Sequence, residues 1–168
     1  MIQRRFSKDA EDVIRVSREL ALQLGYDYIS ILHFFLADCH LNKSSSIRKF
    51  CFKEDAEFNS FLEANKRGPA IIIMENVPLT KDAEIILKQA AVESYLFAAK
   101  RIQPSHIFIA AAKVSESFKS IFPDTPNLYE RLIQYYTSIG ELQNPPTKFR
   151  KWLANKTFRK LGVITIKF

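Results

Sequence analysis

The chain repeats itself. A segment beginning at Phe6 (FSKDAEDVIRVSRELALQLGYDYISILHFFLADC) aligns without a gap on a segment beginning at Leu79 (LTKDAEIILKQAAVESYLFAAKRIQPSHIFIAAA), at an offset of 73 residues. The alignment pairs Ser7 with Thr80, Lys8–Glu11 (KDAE) with Lys81–Glu84 (KDAE), and Ile29 with Ile102. It also pairs His33 with His106 and Ala37 with Ala110. Carried further, the same offset sets Glu54 on Asn127, so the repeat covers about 6–66 and 79–139. A repeat of this length obliges both copies to read as the same series of elements.

Each copy reads as four helices. Ser7 and Thr80 are N-cap residues with acids in the following turn. Behind Ser7, the residues Ala10, Val13, Ile14, Ser17, Ala21 and Leu24 keep helical spacing. Behind Thr80 the matching stripe is Ala83, Ile86, Leu87, Ala90 and Phe97. Gly25 suits the left-handed end of the first helix. The second helices begin near Ser30, a good N-cap, and near Pro104, which fits a first helical turn. Their bodies, LHFFLADCH and SHIFIAAAK, are apolar nearly all round and are expected in the core. Short helices are expected at about 45–51 and 115–121, and amphipathic ones at about 54–66 and 127–139. The fold class is therefore all-α, with eight helices in two pseudo-symmetric sets of four. Between the copies, the β-branched run Ile71–Ile73 reads as a short strand or a buried extended link.

Composition agrees with a helical fold. The 4 glycines and 7 prolines among 168 residues are about half of ordinary usage. That disfavours a turn-rich all-β fold and any Gly-rich phosphate loop. Net charge is +7, but it is not evenly spread. Residues 1–144 hold 18 basic and 18 acidic side chains. Residues 145–168 hold seven bases (Lys148, Arg150, Lys151, Lys156, Arg159, Lys160, Lys167) and no acid. We therefore divide the chain into a neutral repeat body, 1–143, and a basic tail, 144–168, starting at the breaker Asn144-Pro145-Pro146. Cys39 and Cys51 are too few for a disulfide framework, and residues 1–12 contain no apolar run. A cytoplasmic location is expected, with both thiols reduced and no cofactor.

The opening Phe6-Ser7-Lys8-Asp9-Ala10, followed by Gly25-Tyr26-Asp27-Tyr28-Ile29-x-x-x-His33-x-x-x-Ala37, resembles the repeat of the Clp ATPase N-terminal domain. The second copy, from Leu79-Thr80-Lys81 to Ile102-x-Pro104-x-His106, is similar, and the resemblance covers roughly 6–139. It implies an all-α domain that caps an unfolding ATPase and binds adaptor or substrate proteins for it. The ATPase itself is not expected here. There is no G-x-x-x-x-G-K-S/T, and Gly25, Gly68, Gly140 and Gly162 are too scattered to cradle a phosphate. Either an excised N-terminal domain or a stand-alone relative fits the chain.

The resemblance also implies a binding region around the seam of the halves and the starts of the first helices. It points to Ser7, Lys8, Leu32, Thr80, Lys81 and Ser105. Part of the wider family recognises phosphorylated arginine, using a Ser or Thr at the first helix and a Glu before the paired histidine. Ser7 and Thr80 keep the first feature, each followed by a lysine. Leu32 and Ser105 replace the Glu, and neither gives the bidentate, charge-assisted contact a guanidinium needs. Weak or no phosphoarginine binding is expected.

Catalytic and metal readings are weaker than structural ones. His33 and His106 hold the same place one turn inside a buried helix, where an imidazole can satisfy backbone groups. The set Asp38, Cys39, His40 and Cys51 matches no common zinc spacing, and the cysteines read as small core residues. A thiol nucleophile would need a base and an oxyanion site, and no such constellation occurs. No catalytic residue and no metal ligand is therefore assigned. Of Tyr129, Tyr135 and Tyr136, core packing is expected of Tyr135, with Tyr136 or Tyr129 left exposed.

The tail segment 147–161 (TKFRKWLANKTFRKL) reads as a basic amphipathic helix with Phe149, Trp152 and Leu153 on one side. Lys148, Arg150, Lys151, Arg159 and Lys160 are its candidate anion-binding residues. It suits anionic lipid, nucleic acid, or docking onto the body or a partner. The end, 162–168 (GVITIKF), reads as a strand that pairs with Ala70–Met74 or adds to a partner's sheet. The leading functional expectation is a non-catalytic module that binds adaptor or substrate proteins, with a Clp ATPase as a further partner and no small-molecule substrate. The alternative is a helical scaffold whose tail binds nucleic acid or membrane.

Overall fold

The computed structural model describes residues 5–72 and 74–161, with side chains described as far as Asn155. Among the described residues there are nine helices: α1 (Lys8–Gln23), α2 (Ile31–Leu41), α3 (Ser46–Cys51), α4 (Asp55–Ala64), α5 (Lys81–Leu96), α6 (Pro104–Val114), α7 (Glu116–Lys119), α8 (Leu128–Ser138) and α9 (Lys148–Leu161). The first eight are the expected two sets of four, and α9 is the helix expected of the tail. β-Pairing among these residues amounts to two isolated bridges.

Hydroxyl side chains set the helix starts. Ser7 Oγ accepts from Ala10 N at 3.2 Å, and Thr80 Oγ1 accepts from Ala83 N at 3.2 Å. Ser45, Ser115 and Thr147 do the same for α3, α7 and α9. Each bond satisfies a backbone donor that the helix itself leaves orphaned. The first helix of each copy ends in the same motif. Gly25 (φ 82°) follows α1, with Tyr26 N donating to Ala21 O at 2.8 Å. Ala98 (φ 54°) follows α5, with Ala99 N donating to Ser94 O at 2.8 Å.

The chain divides into two units, one of Met1–Ala10 with Ile85–Phe168 and the other of Glu11–Glu84. The division does not follow the repeat. Each unit is completed by the start of the other copy's first helix. In the Glu11–Glu84 unit, α2 is buried along Phe34, Phe35, Leu36 and Ala37 and packs on α3. In the other unit, α6 is buried from Ser105 to Ala112 and packs on α7 and α8. Both second helices are therefore core elements, as their all-round apolar sequence requires.

The two copies differ in detail. α3 and α7 start after Ser45 and Ser115, three residues short of the offset, and a longer connection before α8 restores it. In α8 the buried residues are Leu128, Leu132 and Tyr136, while Tyr135 is only half-buried. This corrects the expectation for the tyrosines. The strict i, i+4, i+8 row selects Tyr136 for the core.

The linker is irregular at 70–72 and 74, without a strand. Ile71 N donates to Leu22 O at 2.9 Å, and Arg67 N donates to Leu24 O at 2.9 Å. This segment therefore satisfies carbonyls at the end of α1 instead of pairing as a strand, and Ile72 is left 93% exposed. The strand expected at 162–168 lies outside the described residues.

Candidate functional site

Two short backbone pairings position the residues singled out in the sequence. In one unit, Ile102 N donates to Arg5 O at 2.9 Å and Ser7 N donates to Ile102 O at 2.9 Å. In the other, Ile29 N donates to Pro78 O at 2.8 Å and Thr80 N donates to Ile29 O at 2.8 Å. Phe6 thus bridges Ile102 and Leu79 bridges Ile29, both in parallel. These are equivalent contacts at the repeat offset. Each sets the start of one copy's first helix beside the residues leading into the other copy's second helix.

The six candidate residues therefore fall into two equivalent groups of three. Ser7 and Lys8 belong to the unit of Ser105, while Thr80 and Lys81 belong to the unit of Leu32. Lys8 and Lys81 are exposed on the first turns of α1 and α5. Ser7 is buried and Thr80 half-buried, and both side chains are engaged as caps. Leu32 is half-buried. Ser105 is buried, and its Oγ has no hydrogen-bond partner among the described residues.

The paired histidines close the starts of α2 and α6. Ser30 N donates to His33 Nδ1 at 2.9 Å, and His33 N donates to Ser30 O at 3.0 Å. Gln103 N donates to His106 Nδ1 at 2.9 Å, and His106 N donates to Gln103 O at 3.0 Å. This is capping-box geometry with an imidazole in place of the usual carboxylate or amide. It is the structural role expected of these residues. Since Nδ1 accepts, the neutral ring carries its proton on Nε2. Burial pushes the His33 pKa down to about 4, so the ring stays neutral around pH 7. Tyr26 stands edge-on to it, with ring centroids 4.7 Å apart.

A polar cluster in the second copy had no expectation attached to it. Glu93 is fully buried. Its Oε1 accepts from Lys113 Nζ at 2.9 Å and Gln89 Nε2 at 2.7 Å, and its Oε2 accepts from Tyr129 Oη at 3.1 Å. Desolvation, followed by the Glu93 charge, raises the Tyr129 pKa above its ordinary value and keeps the hydroxyl protonated. The counterpart of Glu93 in the first copy is the buried Leu20. A carboxylate aligned with a core leucine was the available signal.

Cys39 is buried and Cys51 half-buried, and desolvation raises both thiol pKa values above the ordinary range. Among the described residues no three His, Cys, Asp or Glu side chains gather as a metal site.

In the tail, Arg150 donates to Leu96 O at 2.8 Å and to Pro145 O at 3.2 Å. Leu153 is half-buried and Ala154 is buried on the same side. Phe149 and Trp152 face solvent, 67% and 56% exposed, with their rings stacked 6.1 Å apart. The expected aromatic side of α9 is thus split: Leu153 turns inward while the two aromatic rings turn out. Lys148 and Lys151 are exposed. Arg159 and Lys160 have side chains beyond the described ones. No described helix is long and apolar enough to cross a membrane.

Solved structures share this fold. The N-terminal domain of Hsp104 from Candida albicans matches with a TM-score of 0.65 at 18% identity, over 87% of this chain and 98% of that one. The N-terminal domain of the caseinolytic protease associated chaperone ClpD from Arabidopsis thaliana matches with a TM-score of 0.61 at 15% identity, over 82% and 97%. A structure from a malarial protein secretion system matches with a TM-score of 0.64 at 12% identity, over 92% and 98%. No family model and no curated protein matches the sequence. The fold is that of the N-terminal domains of Clp and Hsp104 ATPases.

Proposed function

We propose that this chain is a non-catalytic protein-binding module that recognises adaptor or substrate proteins for a Clp-type unfoldase. The observation that carries this reading is the duplicated pairing of helix starts. It gives two equivalent surfaces, one around Ser7, Lys8 and Ser105 and one around Thr80, Lys81 and Leu32. Each surface presents an exposed lysine on the first turn of a helix. The unpartnered Ser105 hydroxyl adds a buried hydrogen-bonding group to the first surface. Neither surface has a carboxylate at the position before the capping histidine. The ligand in this reading is a polypeptide segment, and free phosphoarginine should show no micromolar binding by calorimetry.

Fluorescence anisotropy with labelled casein, a permanently unfolded protein, tests the reading. The Lys8→Glu and Lys81→Glu variants should each weaken binding, and the double variant should weaken it by about tenfold or more, the equivalent of about 1.4 kcal/mol. Unchanged affinity in a folded double variant would overturn it.

A further inference from the structure

The outward face of α9 plays no part in the protein-binding reading, and its two aromatic rings are more than half exposed. Arg150, Leu153 and Ala154 turn inward, and the guanidinium of Arg150 is engaged by two backbone carbonyls. Phe149 and Trp152 form a stacked, exposed pair on the outside, with Lys148 and Lys151 exposed next to them in sequence. Lys156, Arg159 and Lys160 follow, and no acid occurs anywhere in residues 145–168.

We propose that this face is a docking surface for an anionic lipid bilayer, to which it delivers the chain reversibly. Aromatic side chains with an apolar body, and in Trp152 a polar N–H, suit the level of the lipid headgroups. Cations around them gain from the negative potential of an anionic surface. Two exposed rings make a weak apolar anchor, so binding needs both signals together. Charge complementarity favours lipid over a polynucleotide. A nucleic-acid strand needs a basic track along its backbone, and residues 1–144 carry equal numbers of acids and bases. A strand longer than α9 would leave the helix without any balance of positive charge beyond it. A bilayer needs to meet only the patch.

Trp152 is the only tryptophan in the chain, so its fluorescence reports this face alone. The full chain is mixed with vesicles of pure phosphatidylcholine, vesicles containing phosphatidylglycerol, and an oligothymidylate, at low and high salt. The proposal expects a blue shift of Trp152 emission and co-sedimentation with the phosphatidylglycerol vesicles only, both weakened by salt. Phe149→Ser and the pair Lys148→Gln with Lys151→Gln should each reduce the bound fraction several-fold, with helix content by circular dichroism unchanged. Absence of a shift at low salt, equal binding to phosphatidylcholine alone, or unchanged binding by these folded variants overturns it. Binding of oligothymidylate at least as tight as that of the anionic vesicles also overturns it, in favour of a nucleic-acid partner.

Discussion

Gly25 and Ala98, at equivalent positions in the two copies, end α1 and α5 in the same left-handed conformation, with φ of 82° and 54°. Glycine adopts this conformation without cost, whereas a Cβ is disfavoured in it. Ala98→Gly should therefore stabilise the protein by about 1 kcal/mol in urea denaturation. Gly25→Ala should do the reverse and by more. Its Cβ would meet the Gly68 backbone at 2.9 Å, where no side chain can move aside. If Ala98→Gly proves destabilising, the two helix ends are not equivalent.

His33 predicts a dependence of stability on pH. The ring titrates at its ordinary 6.5 in the unfolded chain and at about 4 when folded. Between those values the unfolded chain holds the extra proton, so falling pH favours unfolding. The stability is complete above 6.5, is lost as pH falls toward about 4, and levels off below. The whole change is about 3 kcal/mol. His33→Gln keeps the capping-box pattern and removes the titration. The difference between wild type and this variant, measured by denaturation across the window, should show that slope. Parallel curves would contradict the account.

Glu93 predicts a reciprocal coupling with Lys113. Removing the lysine alone leaves a buried carboxylate short of one charged partner, so Lys113→Met should cost about 3 kcal/mol. Adding Glu93→Leu copies the Leu20 of the first copy and should recover most of that loss. A double-mutant cycle gives the coupling directly, and additive losses would mean that the pair is not coupled. Tyr129→Phe should cost about 1 kcal/mol through its lost hydrogen bond to Glu93.

The docking of α9 predicts that removing residues 144–168 weakens the protein. Ala154 would lose its burial, and Leu96 O would lose the Arg150 donor. The repeat body should keep its helical signal but lose about 1–2 kcal/mol in thermal or urea unfolding. Identical unfolding curves for the two lengths would indicate an appendage without energetic attachment.

Much of the fold was legible because its signals are local. The caps Ser7, Ser30 and Thr80, the left-handed Gly25 and the apolar bodies of α2 and α6 are all set by residues within a turn or two. The histidines were legible for another reason. Recurrence at one repeat position identified them as parts of the helix start. What failed was contextual. Ile71–Ile73 has a strand's composition, yet Ile71 N caps the end of α1. Tyr135 and Tyr136 are neighbours, and only the row through Leu128 and Leu132 decides between them. Phe149, Trp152 and Leu153 read as one side of α9, and only packing divides them: Leu153 is half-buried beside the buried Ala154 while the two rings stay exposed. The grouping of Ser7 with Ser105, and of Thr80 with Leu32, needed the backbone pairing that exchanges the helix starts.

The central claim is that the paired helix starts are where polypeptide binds. Chemical-shift mapping of the full chain by amide NMR, titrated with unlabelled casein, measures this most directly. The account predicts perturbations clustered at the amides of Ser7, Lys8 and Ser105 and of Leu32, Thr80 and Lys81. Perturbations confined to α9, or spread without regard to these two groups, would contradict it.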